Sequence, residues 1–238
     1  MSTHALRAGV DRRAARVVSA WEHVVWLGGG MVLAFAVPFL LADTIGLHRD
    51  VYYGIYGAAV FAYVAAWTVA TRQRIGPMLR ARWPVMAALT VVASAVLVAV
   101  VYRTEDTTAR PDGFEFLGAL AWRGAFYGLV DGLLLSAFPI LAVFAAFAGT
   151  RLRERWAGKI AIGAVALIAS LLMTAVYHVG YSDFRGEKLR KPVAGDLVWS
   201  APTLLTLNPI GAPVAHAAMH TAAVLHSYET DTFLPPHS

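Results

Sequence analysis

Six long apolar stretches, separated by short polar segments, run through the chain. They cover roughly residues 23–43, 51–71, 84–102, 120–148, 159–180 and 204–228. A helix of about 20 apolar residues is long enough to cross the hydrocarbon core of a bilayer, so each stretch predicts one membrane-spanning helix. The pattern therefore predicts an all-α, polytopic transmembrane helix bundle of about six spans.

Prolines mark two of these stretches as irregular. The fourth is over-long and contains Pro139, which predicts a kink. In the sixth, Asn208-Pro209 and Pro213 interrupt the pattern, so a regular helix is expected to begin near Pro213, a favoured first helical position. The segment before it, "SAPTLLTLNPIGA", is expected to be re-entrant or irregular, because membrane depth tolerates such backbone only where protein or a wet cavity shields it.

The composition agrees with a membrane protein. Of the 238 residues, 58% are hydrophobic and only 15% are charged. A soluble domain of this length needs far more charged residues to cover its surface. The chain has no cysteine, which excludes disulfide bonds, thiolate metal ligands and cysteine nucleophiles.

Basic residues are distributed unevenly over the segments between the stretches. The N-terminal lead and the loops after the second and fourth stretches carry twelve, whereas the other loops carry seven. By the positive-inside rule, both termini are predicted to be cytoplasmic. Because this rule accounts for the net charge of +5, the expected partner is the lipid bilayer of a bacterial-type inner membrane, and no nucleic acid partner is expected.

The chain is predicted to form one membrane-embedded unit with short flanking segments. Residues 1–22 are expected to be a cytoplasmic amphipathic lead, residues 23–228 a single transmembrane helical domain, and residues 229–238 a disordered cytoplasmic tail. The last external loop, Gly180 to Ser200, is longer than a connection needs. It is expected to be solvated.

Ionisable residues inside the stretches are functional candidates, because a charge at the bilayer centre costs at least about 2.5–3.5 kcal/mol on insertion scales. Asp131 is the one acidic residue predicted to lie well inside a stretch, and His178 closes the fifth stretch. His216 and His220, four residues apart in the sixth, share one helix face. The predicted orientation places all four in the outer half of the bilayer, where they are expected to form one site. His226 is expected to point elsewhere.

This residue set is compatible with several chemistries. His178, His216 and His220 suit zinc or another first-row divalent metal, with Asp131 as a general base or a further ligand. Without a metal, the carboxylate would activate water while the histidines orient it and stabilise an oxyanion. The alternatives are a bis-histidine haem between His178 and His216 or His220, a proton-relay or transport protein, and a structural set of interhelical hydrogen bonds.

The order of these residues resembles that of the CPBP intramembrane protease family, which includes the CAAX prenyl proteases. The family pattern is a glutamate pair followed by an arginine, then F-x-x-x-H, then H-x-x-x-N. The similar stretches here are "YGLVDGLLLS", "TAVYHVGY" and "GAPVAHAAMHTAAVL". They place Asp131 at the acidic position, His178 and His216 at the second-motif and third-motif histidines, and His220 at the position of the asparagine. The resemblance implies an intramembrane peptidase, although a single aspartate replaces the glutamate pair.

The sequence therefore predicts an integral membrane hydrolase that acts on a membrane-associated substrate. Asp131, His178, His216 and His220 are the predicted catalytic residues, and the three histidines are the predicted metal ligands. The alternative predictions are a membrane protein that binds haem or a metal, and a non-catalytic or transport-related membrane protein.

Overall fold

The computed structural model describes residues 18–230 and 232–236, and within those residues all regular structure is helical. Five helical segments are long and apolar enough to cross a membrane: Ala20–Thr44, Arg49–Ala70, Trp83–Thr104, Gly113–Ala146 and Trp156–Val179. They correspond to the first five predicted spans. The all-helical class is thus confirmed among the described residues, and five of the predicted spans are helices long and apolar enough to cross a membrane.

The α-helices follow one another in the order α1 (Ala20–Val37), α2 (Arg49–Ala70), α3 (Ile75–Arg80), α4 (Trp83–Thr104), α5 (Gly113–Ala119), α6 (Tyr127–Gly132), α7 (Phe138–Ala146), α8 (Trp156–Val179), α9 (Arg190–Trp199), α10 (Ala201–Thr206) and α11 (Gly211–His226). Wider π-helical turns extend α1 and join α5, α6 and α7 into one long segment: Pro38–Thr44, Leu120–Phe126 and Leu133–Ala137. Short 3₁₀ turns lie in the connections: Arg151–Glu154, Ser182–Phe184 and Glu187–Leu189.

The fourth span is the central helix of the bundle. In its most apolar part 72% of the residues are buried in the protein, against 17–39% in the other four spans. Pro139 has no N–H, so the carbonyl of Leu135 lacks the usual helical partner. The hydroxyl of Ser170 on α8 lies 2.9 Å from that carbonyl oxygen and donates to it. The predicted irregularity at Pro139 is thereby accommodated without an orphaned backbone group.

The last part of the chain crosses the bundle twice. Lys191, at the start of α9, lies 3.8 Å from Glu105, which directly follows α4. Asn208, just after α10, donates a 2.9 Å hydrogen bond to the carbonyl of Leu79, which precedes α4. Helices α9 and α10 together therefore run the length of α4. Helix α11 then returns, since the His226 imidazole donates to the Glu105 carbonyl at 3.0 Å.

A tight turn separates these two crossings. Leu207 adopts a left-handed backbone conformation with φ of 59°, and the side-chain carbonyl of Asn208 accepts a hydrogen bond from the N–H of Ile210. Helix α11 begins at Gly211, close to the predicted start near Pro213. The prediction that 204–228 forms a single span is wrong, because this turn divides the stretch between two segments of opposite direction.

The described ends of the chain lie at opposite ends of the bundle. Near the beginning of α1, His23 accepts a hydrogen bond from Trp67 at the end of α2. At the other end, Arg49 at the start of α2 donates to the carbonyl of Pro236 at 2.8 Å. The prediction that both ends lie on one cytoplasmic side is wrong for these residues. The crossing made by α9 and α10 was not predicted, and it reverses the direction of α11.

The structure bears differently on the predictions for the two flanking segments. Residues 1–17, most of the predicted amphipathic lead, lie outside the described residues. In the predicted tail, Phe233 and Leu234 are buried and pack with residues of α4 and α11. This part of the tail is folded onto the bundle, contrary to the predicted disorder, because it contributes apolar side chains to the core.

Candidate functional site

A stripe of small residues brings the central helix against α11. Gly124, Gly128 and Gly132 are spaced four apart on one face of the fourth span. A Cβ atom at Gly128 would lie 2.5 Å from the Cα atom of Ala217, and one at Gly132 would lie 2.5 Å from that of Pro213. Only glycine permits this approach of two backbones, a common device for packing membrane helices. The contact places Asp131 opposite the histidines of α11.

Asp131, His216 and His220 form one compact group. The Oδ2 atom of Asp131 lies 3.8 Å from Nε2 of His216 and 3.7 Å from Nε2 of His220. The two imidazoles are nearly parallel, with centroids 4.8 Å apart and planes inclined by 7°. Each of the three residues is only 2% exposed. The predicted convergence of the carboxylate with these two histidines is confirmed.

Several polar atoms of this group have no hydrogen-bond partner among the described residues. They are Oδ1 of Asp131, Nδ1 of His216 and both ring nitrogens of His220. Leaving a buried polar atom unpaired costs about 1–3 kcal/mol, and more when the group is charged. Arg123, two turns earlier on the same segment, does not compensate for Asp131, because its guanidinium is bound to both carboxylate oxygens of Asp50. The group therefore has the character of a binding site for a further species.

His178 lies beside this group without joining it. Its Nδ1–H donates to the carbonyl of Thr174 at 2.8 Å, which fixes the ring and leaves Nε2 as the nitrogen that can accept a proton. His178, His216 and His220 all line one cavity of about 300 Å³. The structure thus brings three of the four predicted site residues within ligand distance of one another and places the fourth on the wall of the same cavity.

His226 is separate from the site, as predicted. It lies at the end of α11, where it contacts the Glu105 carbonyl and stacks on Tyr102 with ring centroids 4.2 Å apart.

A second buried carboxylate, Asp196, was not recognised in the sequence. It belongs to α9 and is fully buried, whereas the sequence interpretation placed it in a solvated external loop. That interpretation is wrong, because α9 packs into the bundle. The run "VAGDLVWSAPTLLTL" has a single charge, and this apolar continuity was the available signal.

Hydroxyl groups surround Asp196 on both carboxylate oxygens. Ser136 donates to Oδ1 at 2.9 Å and Ser200 also donates to Oδ1. Thr174 donates to Oδ2 at 2.9 Å, and the Ser170 hydroxyl, shared with Leu135, lies 3.0 Å from Oδ2. Thr174 also provides the carbonyl that orients His178, so the Asp196 cluster supports one wall of the cavity.

A group of buried tyrosines was likewise not recognised in the sequence. Tyr177 is hydrogen-bonded through its hydroxyl to Tyr52 at 3.2 Å, to Tyr127 at 2.7 Å and to Tyr181 at 2.8 Å. The Tyr127 ring in turn contacts His220, with centroids 4.9 Å apart. Trp199 contacts the other histidine of the stacked pair, His216, with ring centroids 4.2 Å apart.

Comparisons with protein-family models, with curated protein sequences and with solved structures found no match to this chain.

Proposed function

We propose that Asp131, His216 and His220 bind a divalent metal ion, with zinc as the best-suited ion. The support is the set of unpaired polar atoms on three buried residues whose potential ligand atoms all lie within 4.8 Å of one another. Zinc–nitrogen distances near 2.0–2.1 Å imply ligand-to-ligand distances of about 3.3 Å in a tetrahedral site. The separations of 3.7 and 3.8 Å need only a small contraction to reach that value.

Two histidines and one carboxylate form the type of ligand set that catalytic zinc sites use, with the fourth position left for water or substrate. An ion held there would supply Lewis-acid chemistry, polarising a carbonyl group and acidifying a water molecule. Asp131 then serves as a ligand, and His178 takes the role of general base that the sequence interpretation gave to Asp131.

The reaction that fits these residues is hydrolysis of an acyl ester or amide in the cavity. His178 accepts a proton at Nε2 from a water molecule, whose oxygen bonds to the acyl carbon. The bond from that carbon to the leaving oxygen or nitrogen breaks, and the imidazolium of His178 returns the proton to the leaving group. The products are a carboxylic acid and an alcohol or amine.

We further propose that this site lies in the outer half of a bacterial-type inner membrane. The arginine-rich loops lie at the end of the bundle where α1 begins. The positive-inside rule therefore assigns that end to the cytoplasm. The described end of the tail then faces outward. Membership of the CPBP family stays a hypothesis, and a peptide bond remains one of the amides that the site would accept.

Metal content tests the proposal directly. Protein purified in mild detergent should contain about one zinc ion per chain by elemental mass spectrometry, and Asp131→Asn and His216→Ala should each bind less than a tenth of that amount. His226→Ala is the matched control, since this histidine lies on the same helix outside the group, and it should retain the ion. A wild-type protein that stays metal-free after incubation with zinc would overturn the metal site, and a Soret absorption band would point to haem in its place.

The role of His178 is tested by separating binding from turnover. His178→Ala should keep the full zinc content, yet hydrolyse the nitrophenyl ester of a long-chain fatty acid at least 100-fold more slowly, in line with the contribution of a general base. Loss of zinc in this variant would make His178 a ligand, and unchanged turnover would remove it from the reaction.

A further inference from the structure

The cavity beside the histidines is almost entirely apolar apart from its two ends. Its wall includes Leu97 from α4, Val198 from α9 and Met219 from α11, together with Phe233 from the tail. Such a wall offers no hydrogen bonds to a polar molecule, and it excludes water from the bound group. The cavity therefore suits a hydrocarbon chain.

The cavity opens sideways, between α4 and α9. Val100 of α4 is 42% exposed while it also lines the cavity. Ala194 of α9 lines the opposite lip and is exposed as well. Helix α4 is one of the candidate membrane spans, so an opening along it offers a molecule dissolved in the bilayer a route to the cavity that does not cross water.

The outer rim of the cavity is polar and covered by the tail. Lys191 and Thr104 line this end, and Thr232 and Pro235 of the tail lie across it. The tail is held in place by the hydrogen bond from Arg49 to the carbonyl of Pro236. This rim offers hydroxyl groups and the ammonium of Lys191, which also lies 3.8 Å from Glu105, and these groups suit a lipid head group.

The histidines lie below this rim. Trp199, which contacts His216, follows Lys191 by eight residues on α9, and eight residues of helix rise about 12 Å. A molecule with its head group at Lys191 therefore presents to the histidines an atom that lies deeper than the head group. An ester or amide that joins an acyl chain to a head group has this position.

We propose that the cavity binds an acylated lipid of the bilayer, which enters between α4 and α9, places its head group at Lys191 and lays its acyl linkage against the histidines. The inference rests on the proposed function for the bond that is cleaved. Binding of the chain requires only the cavity, so the two can be tested separately.

The absence of cysteine from the chain provides the assay. Met219→Cys places the sole thiol of the protein on the buried cavity wall, and its rate of alkylation by N-ethylmaleimide is measured in the sterol-based detergent digitonin. Palmitoyl lysophosphatidylglycerol should slow alkylation at least fivefold, whereas glycerophosphoglycerol, the same head group without a chain, should have no effect.

A blocked entrance gives the matched control. Ala194→Trp, in the Met219→Cys background, should abolish protection by the lysolipid. Ala95→Trp, which adds the same side chain at an exposed position of α4 that does not line the cavity, should leave protection intact. Equal protection by the chain-free head group would overturn the proposal in favour of a polar ligand, and absence of protection by any probe would also overturn it.

The same assay is run with zinc-loaded and chelated protein. The lysolipid could protect the thiol equally after incubation with zinc and after chelation, while the protein binds no zinc or hydrolyses no ester. That result would retain the lipid site and reject the metal-dependent reaction. Stoichiometric zinc with no protection would retain the metal and reject the lipid.

Discussion

Two aspartates are buried in the same helix bundle, and their surroundings differ completely. Asp196 is fully buried, and hydroxyls from α8, from Ser200 directly after α9 and from the π-helical turn before α7 contact its two oxygens. Asp131 is 2% exposed, and one of its oxygens has no partner while the other faces two imidazoles at 3.7–3.8 Å. Burial alone therefore does not identify a functional carboxylate.

The difference lies in hydrogen-bond satisfaction. A buried polar group with all of its partners is stable, and it fixes the arrangement of the helices around it. A buried group without partners is retained at a cost to stability, which is reasonable where a ligand completes it. We therefore regard Asp196 as structural and Asp131 as the candidate functional carboxylate, although both have the same side chain and both are buried.

The largest expected effect comes from truncating each aspartate in metal-free protein. Asp196→Ala should lower the free energy of unfolding by roughly 3–5 kcal/mol, because at least two hydroxyls lose their acceptor at about 1–3 kcal/mol each. Asp131→Ala removes the same atoms but orphans fewer partners, so its cost should be smaller by at least about 2 kcal/mol. Denaturation by SDS, followed by circular dichroism with a chelator present, measures both. Equal losses would contradict the division into structural and functional carboxylates.

Removing the metal should have the next largest effect. A ligand at 100 times its dissociation constant stabilises the folded state by about 2.7 kcal/mol, which corresponds to roughly 5–10 °C in Tm for a chain of this size. A chelator should therefore lower the Tm of the wild type by that amount. His220→Ala should show no such shift, whereas Asp196→Ala should show the full shift from its lower starting Tm. A chelator shift that persists in His220→Ala would assign the metal to another place.

The smallest effect concerns the helix contact that positions Asp131. Gly128→Ala should cost about 1–3 kcal/mol through overpacking, because its Cβ atom would meet the backbone of Ala217. It should also weaken zinc binding measurably by separating Asp131 from the histidines. Gly118→Ala, in the same segment with open space around it, is the control and should be neutral or slightly stabilising. Similar zinc affinities of the two variants would show that the glycine stripe does not set the metal geometry.

The site was largely predictable, although one premise of the prediction was wrong. The predicted common depth of Asp131 and His216 requires that α11 enters the membrane from the outside. In the structure α11 runs the opposite way, yet the histidines lie near the middle of the helix, where reversing its direction changes their depth little. The i, i+4 spacing of His216 and His220 does not depend on direction.

Asp196 and the buried tyrosines were not predictable in the same way. The segment that contains Asp196 follows the basic run Arg185 to Lys191, and a hydropathy pattern interrupted by charge and proline favours a loop. Its burial depends largely on the hydroxyl groups of Ser136, Ser170 and Thr174, which come from other segments and lie at least 22 residues away along the chain. Side chains that are distant along the chain and satisfy one another leave no periodic signal.

The sequence by itself determined the helical class of this protein and indicated the residues of its candidate site. Apolar stretches of bilayer length can satisfy their backbone only as helices, and ionisable side chains within them are too costly to be incidental. The tertiary structure decided the number of crossings, the direction of the last helix and which aspartate lacks partners. Those properties depend on close contacts such as that of Gly128 with Ala217 and on hydrogen bonds between distant segments, which the order of residues does not encode locally.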